Sequence, residues 1–163
     1  MEFIDLIDEN DNVIGVTDRT TAHATNQIHR VAAVYVFNSK GKLYVQVHKK
    51  SKGRLDHSVG GHVSEGEDYA TAAVREAKEE LGIDQPLTYL TTFYSVGGSY
   101  RHMFGLFECV ANDDWEFVPN DEVEEVIPME LNTIAQMMND NPEKFTTGFI
   151  NSMKEYHKIK NTK

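Results

Sequence analysis

The sequence predicts an α/β fold, a mixed β-sheet with helices packed on it, and three observations predict it. Short runs rich in Val, Ile, Tyr and Phe recur through residues 3–47 and again through 87–128. One helical pattern interrupts them in mid-chain, and two more follow the last run. No repeat or linker-like stretch divides the chain, so its 163 residues are expected to form one domain around one substantial core.

Taken in order, FIDLI and VIGVTDR predict two short strands around the polar turn DENDN. That acidic turn does not read as a calcium loop: Val13 stands where such a loop needs its glycine, and no helix flanks it. VAAVYVF and KLYVQVHKK predict a hairpin about Asn38-Ser39-Lys40-Gly41. Residues 67–81 predict a helix, with Ala70, Val74, Ala77 and Leu81 as its buried stripe and Gly82 as its stop. LTYLTTFYSV and RHMFGLFECVA predict two strands joined by a turn at Gly97-Gly98-Ser99. The apolar segment VEEVIP, the amphipathic stretch MELNTIAQMM and a last helix in TTGFINSMKEYHK complete the order.

Composition narrows the function. A net charge of −10 argues against a general nucleic-acid surface, which needs a face rich in Lys and Arg. No 18-residue apolar run predicts a membrane span. The start, MEFIDLIDENDN, is acidic and turn-rich, unlike a signal peptide. The single cysteine, Cys109, allows no intramolecular disulfide and fits a reducing compartment, so a cytoplasmic location is expected.

The chemistry concentrates in GGHVSEGEDYATAAVREAKEELGI, residues 60–83. At about 3.6 residues per turn, Glu76, Glu79 and Glu80 share a stripe roughly 120–140° round from the apolar one. Like charges at these offsets repel by a few tenths of a kcal/mol per pair, roughly, in an isolated helix. Arg75 and Lys78 are expected to point away from them. A solvated acidic face is the plain explanation. A divalent cation is the sharper one, since hard ions such as Mg²⁺ take several oxygen ligands. Gly60-Gly61 would let backbone carbonyls approach such an ion.

The same residues match a known motif: Gly61, then Glu67, Arg75-Glu76, Glu79-Glu80, Leu81, Gly82 and Ile83 at fixed spacing. They resemble the signature box of the Nudix hydrolases, here residues 61–83, and Ala77 fills a slot that often holds a larger apolar residue. The resemblance implies a Nudix-type α/β/α sandwich around a mixed sheet, and Mg²⁺- or Mn²⁺-dependent hydrolysis of a small-molecule diphosphate. It implies Glu76, Glu79, Glu80 and the Gly60 carbonyl as metal ligands, with Arg75 holding a box glutamate in place. Glu67 would then be structural or outer-shell. The catalytic base would be Glu76 or Glu122, the latter in NDEVEEVIP outside the box. A homodimer is common in the family.

A second resemblance is to the isopentenyl diphosphate isomerases, which share the fold. His23, His29 and His62 occur at positions similar to three metal-binding histidines of those enzymes, which implies a second metal site. The isomerase's essential cysteine is replaced by Gly60, however, and the hydrolase box is kept whole, so an isomerase is the second reading. A binding module that has lost catalysis is the third, and no box glutamate is lost here. Lys49, Lys50, Lys52 and Arg54 form a basic loop that the resemblance places near substrate phosphates. Phe93, Tyr94, Tyr100, Phe104, Phe107 and Trp115 offer stacking surfaces, most of them expected in the core.

Overall fold

The structure is a computed structural model and describes residues 2–48, 52–97 and 100–161. Lys49, Lys50 and the Gly98-Ser99 part of the predicted turn lie outside the described residues. The first half holds β1 (Phe3–Ile7), β2 (Val13–Asp18), α1 (Arg19–Ala24), β3 (His29–Phe37), β4 (Leu43–His48), β5 (Leu55–Asp56) and β6 (Val59–His62). Then come α2 (Tyr69–Leu81), β7 (Thr88–Gly97), β8 (Tyr100–Val110), β9 (Val123–Met129), α3 (Leu131–Asp140) and α4 (Thr147–Asn161).

The run VAAVYVF belongs to β3, which is buried on both faces. Val31, Ala33, Tyr35 and Phe37 point into one core cluster, with Ile134 of α3 and Phe149, Met153 and Tyr156 of α4. Ala32, Val34 and Val36 point into the other, with Ala72, Ala73, Ala77 and Leu81 of α2. A strand covered on both sides reads as a continuous apolar run, as this one does. Each wholly buried Val, Leu or Ile contributes about 1.5–3 kcal/mol. The mixed sheet between two helical layers is the expected α/β/α arrangement.

Pairing differs from the predicted hairpin. Strands β3 and β4 meet only at Phe37↔Leu43, beside their turn. Beyond it β3 pairs in parallel with β8, from His29↔His102 to Phe37↔Val110, and antiparallel with β6, from Val31↔His62 to Val34↔Val59. Strand β4 instead pairs with β9 along its length and with β5 at Gln46 and Val47. The turn signal was local and correct, but sheet neighbours depend on distant segments.

Helix α2 begins at Tyr69, two residues later than predicted, where Asp68 caps it by accepting from the Thr71 N–H at 2.7 Å. It ends on Gly82, whose φ of 63° is the left-handed stop that glycine tolerates. The predicted buried stripe is rotated. Ala70 is exposed and Val74 is 52% exposed, whereas Ala72, Ala73, Glu76, Ala77, Glu80 and Leu81 are buried. Alanines occur all round this helix, so apolar spacing could not choose the face, and two of the box carboxylates turn inward with it. Helix α1 was missed because six residues are too few to show periodicity; Asp18 caps it by accepting from Thr21 N–H at 2.9 Å. Strands β5 and β6 were missed because they are short and because Gly60-Gly61 hides the second.

Candidate active site

A cavity of about 820 Å³ opens beside α2, β6 and β8. Its wall includes Glu76, Glu79 and Glu80 from α2, Gly60 and Gly61 from β6, and Glu122 from the loop before β9.

Glu76 and Glu80 are 8% and 2% exposed. With Glu122, each offers a carboxylate oxygen that lies within 4.8 Å of the others. Glu79 stands outside that group, its side chain 52% exposed, so the third member of the cluster is Glu122 and not Glu79. Glu80 Oε1 accepts from Gln46 Nε2 at 2.8 Å and from the Gly60 N–H at 3.4 Å. Burial pushes the Glu80 carboxyl well above the carboxylate range; the Gln46 bond opposes this and the Glu76 charge adds to it. Glu76 is raised by burial too, against its bond from Arg75. Two neighbouring buried carboxyls that resist ionisation are the pattern expected of a site designed around a cation, because the cation supplies the missing charge.

Neighbouring groups lock the site. Arg75 donates from Nε and Nη2 to the two oxygens of Glu67 at 3.0 and 2.8 Å, and from Nη1 to Glu76 Oε1 at 2.7 Å. Its Nη2 also reaches the His62 carbonyl at 3.1 Å, and Nη1 lies 3.6 Å from Glu79 Oε2. Arg75 therefore faces the acidic residues, contrary to the expectation that it points away; its planar fork spans both sides of the stripe. These bonds hold Glu67 below its usual carboxylate range. Across the site, Asn120 donates to the Glu80 carbonyl at 2.8 Å and accepts from the Glu122 N–H at 2.9 Å. That ties the Glu122 loop to the C-terminal turn of α2.

Gly61 lies directly beneath the Glu76 side chain, and a Cβ there would overlap its carboxylate. Gly61→Ala is therefore expected to displace Glu76 and to lower the activity of the site about a hundredfold, with the fold retained. Matched rate and melting measurements check this, and an unchanged rate would contradict the placement.

A second cluster adjoins the cavity, with His23, His62 and His102 in its lining. His23 of α1, His29 of β3, His62 of β6 and His102 of β8 each offer a ring nitrogen within 4.8 Å of the others. His23 Nε2 lies 3.1 Å from His62 Nε2, and His102 Nε2 lies 2.9 Å from His29 Nε2. His29 Nδ1 lies 2.9 Å from the Gln27 carbonyl and so carries the proton, which leaves Nε2 of the neutral ring as a bare acceptor. Burial lowers His29 to about 4 and His102 to about 2, the latter with help from the other histidines. Neutral imidazoles converging on one point suit a borderline transition metal such as Zn²⁺. Sequence reading placed His23, His29 and His62 together but missed His102, whose place depends on the parallel register His29↔His102.

Arg54 lines the large cavity and also a small one that it shares with Lys52, Glu143 and Lys144; Lys52 lines only the small one, and Lys49 lies outside the described residues. Of the aromatics, Tyr100 and Phe104 line the cavity. Phe107 is core, and Trp115 packs on Tyr44 and donates to the Leu81 carbonyl at 2.8 Å. Among the described residues, no helix is long and apolar enough to cross a membrane.

Comparison with known proteins identifies the family. A family model described as the NUDIX domain matches residues 27–149. An uncharacterized Nudix hydrolase of Yersinia pestis is 36% identical over 138 residues, covering 80% of this chain and 76% of its own. An isopentenyl-diphosphate Delta-isomerase of Pectobacterium atrosepticum is 32% identical over 152 residues, covering 88% and 85%. Among solved structures, DR0079 from Deinococcus radiodurans superposes with a TM-score of 0.71 at 26% identity, covering 86% of this chain and 90% of that one. With the family model spanning most of the chain and both relatives aligned over at least 80% of it, the chain belongs to the Nudix hydrolase family, in its isopentenyl-diphosphate-isomerase-like branch.

Proposed function

We propose that the chain is a Mg²⁺- or Mn²⁺-dependent hydrolase that cleaves a diphosphate linkage in a small molecule of nucleoside-diphosphate type. The observation that carries this reading is the convergence of Glu76, Glu80 and Glu122 on one wall of a cavity large enough for such a ligand. Oxygen donors of this kind fit a hard divalent ion. When bound, the ion would screen phosphate charge and acidify a bound water. Glu76 and Glu80 would hold it, with Glu79 and the Gly60 carbonyl as further candidates at the rim.

Arg75 keeps Glu76 in its rotamer and brings Glu67 with it. That favours Glu122 over Glu76 as the acceptor of the water's proton. Glu122 is exposed, and among the described residues no side chain bonds its carboxylate, whereas Glu76 is engaged by Arg75. Arg54, in the cavity lining, would meet a distal phosphate. The isomerase reading is disfavoured: Gly60 offers no thiol, and Cys109 is buried in the apolar cluster under α2, where burial pushes its thiol up to about 11.

The four histidines add a second proposed metal site, of transition-metal type, next to the carboxylates. The test of function is phosphate release from a panel of diphosphate-linked compounds with Mg²⁺ or Mn²⁺, set beside the Glu79→Gln, Glu80→Gln double variant. Turnover of one compound class by the wild type, with the variant inactive, is the expected result. Metal binding without hydrolysis of any compound would sink the reading.

A further inference from the structure

Beside the same cavity lies a chain of buried polar groups that hydrolysis does not use. His57 is 4% exposed and Ser152 is wholly buried. The His57 ring is stacked against Tyr35 and Phe104, with centroids 5.7 and 5.4 Å away, and Phe149 meets it edge-on. Its Nε2 lies 2.7 Å from Ser152 Oγ, and its Nδ1 lies 2.7 Å from Asp56 Oδ1. The connectivity Ser–His–Asp is that of a nucleophilic triad. Here the serine is sealed behind the histidine, so no substrate reaches it. Asp56 and the edge of His57 line the cavity, and of the two Asp56 is the more exposed, with 30% of its side chain open against 4% for His57.

Asp56 is held from one side. Its Oδ1 accepts from the His57 N–H at 2.8 Å, from His57 Nδ1 at 2.7 Å and from Thr146 Oγ1 at 3.0 Å. Among the described residues no donor reaches Oδ2, and the side chain is 30% exposed. Burial opposes its ionisation, but the bonds from His57 and Thr146 outweigh that and keep the carboxyl below its usual range. Beside it, Tyr100 stacks on His102 at 4.5 Å, and these two rings line the same cavity with Phe104.

A fixed carboxylate with one open oxygen demands a hydrogen-bond donor, because a ligand without one leaves a desolvated charge unpaired. The partly exposed Tyr100 ring, which lines the cavity beside it, favours a flat ring. A prenyl chain satisfies neither condition. We infer that Asp56 is a specificity-determining residue for the organic half of the substrate, and that it recognises the amino group of a nucleobase on a nucleoside diphosphate. His57 and Ser152 are its positioning residues. The inference rests on the reading of the carboxylate end as the diphosphate site.

The test is calorimetric binding, with Mg²⁺, of methylene-bridged diphosphate analogues that resist hydrolysis. They are taken in matched pairs that differ by amino against oxo on the ring: cytidine with uridine, and adenosine with inosine. Wild type is expected to bind an amino member about tenfold or more tighter than its oxo partner. Asp56→Asn is expected to abolish that ratio, and Ser152→Ala to reduce it, in proteins whose melting curves show them folded. A wild type that binds none of the four, or has no amino preference, overturns the inference. So does a preference that survives Asp56→Asn. Because hydrolysis never enters the ratio, a wild type that keeps the ratio but turns over nothing would count against the hydrolase reading alone.

Discussion

Glu80→Gln is expected to lower diphosphate hydrolysis on the order of a thousandfold, while leaving the metal-free protein at least as heat-stable as wild type. The two effects have one cause. Glu80 is 2% exposed, and Gln46 and the Gly60 N–H both aim donors at Oε1, which a glutamine oxygen can still accept. Burial and the nearby Glu76 make the charged form expensive without a cation. A neutral amide of the same shape removes that cost and removes the ligand with it.

The pH dependence follows from the sign of the shift. The folded carboxyl of Glu80 is raised from 4.5 to about 9, so the folded chain holds its proton more tightly than the unfolded one. That contribution to stability is full below 4.5 and is lost as pH rises toward 9. Metal-free wild type should therefore lose melting temperature with rising pH across this window, and Glu80→Gln should lose less. Added Mg²⁺ or Mn²⁺ should restore more stability to wild type at the alkaline end, because binding there displaces fewer protons. Parallel slopes for the two proteins would contradict the account of Glu80.

His102→Ala is expected to remove the transition metal from the histidine cluster. At a Zn²⁺ concentration about 100 times Kd, binding adds about 2.7 kcal/mol. For a chain of this size that raises Tm by about 5–10 °C, and the variant should show little of the rise. Without metal the sign reverses in acid. His29 and His102 are lowered from 6.5 to about 4 and about 2, so the unfolded chain takes up protons that the folded one refuses. Their contribution is present above 6.5 and is lost as pH falls below it. Removing His102 should make the metal-free protein less sensitive to acid. Equal Zn²⁺ content in wild type and variant, by elemental analysis, would contradict the site.

Much of this was legible in the residues, and the losses have physical causes. The helix offsets marked Glu76, Glu79 and Glu80 because a helix converts fixed spacing into neighbours. Arg75 was marked by the family resemblance alone and by its offset was expected to point away. Glu122 was legible only as an acidic residue near a strand; its position over Glu80 depends on Asn120, which bridges the loop to α2. The inward turn of Glu76 was not legible, since hydrophobic patterning treats every carboxylate as solvent-facing. His102 looks like any strand histidine until β8 is laid parallel to β3. The Asp56–His57–Ser152 chain joins residues 95 positions apart, and no local pattern carries it.

The crowded carboxylates are proposed to be a metal site at which a diphosphate is cleaved. The most direct measurement counts bound Mn²⁺ by electron paramagnetic resonance in wild type and in the Glu76→Gln, Glu80→Gln double variant. Hydrolysis of the best diphosphate is followed in the same samples, with the histidine cluster filled by Zn²⁺ beforehand. Loss of both Mn²⁺ and turnover in the variant is the predicted result. Mn²⁺ retained at wild-type level with turnover intact would contradict it.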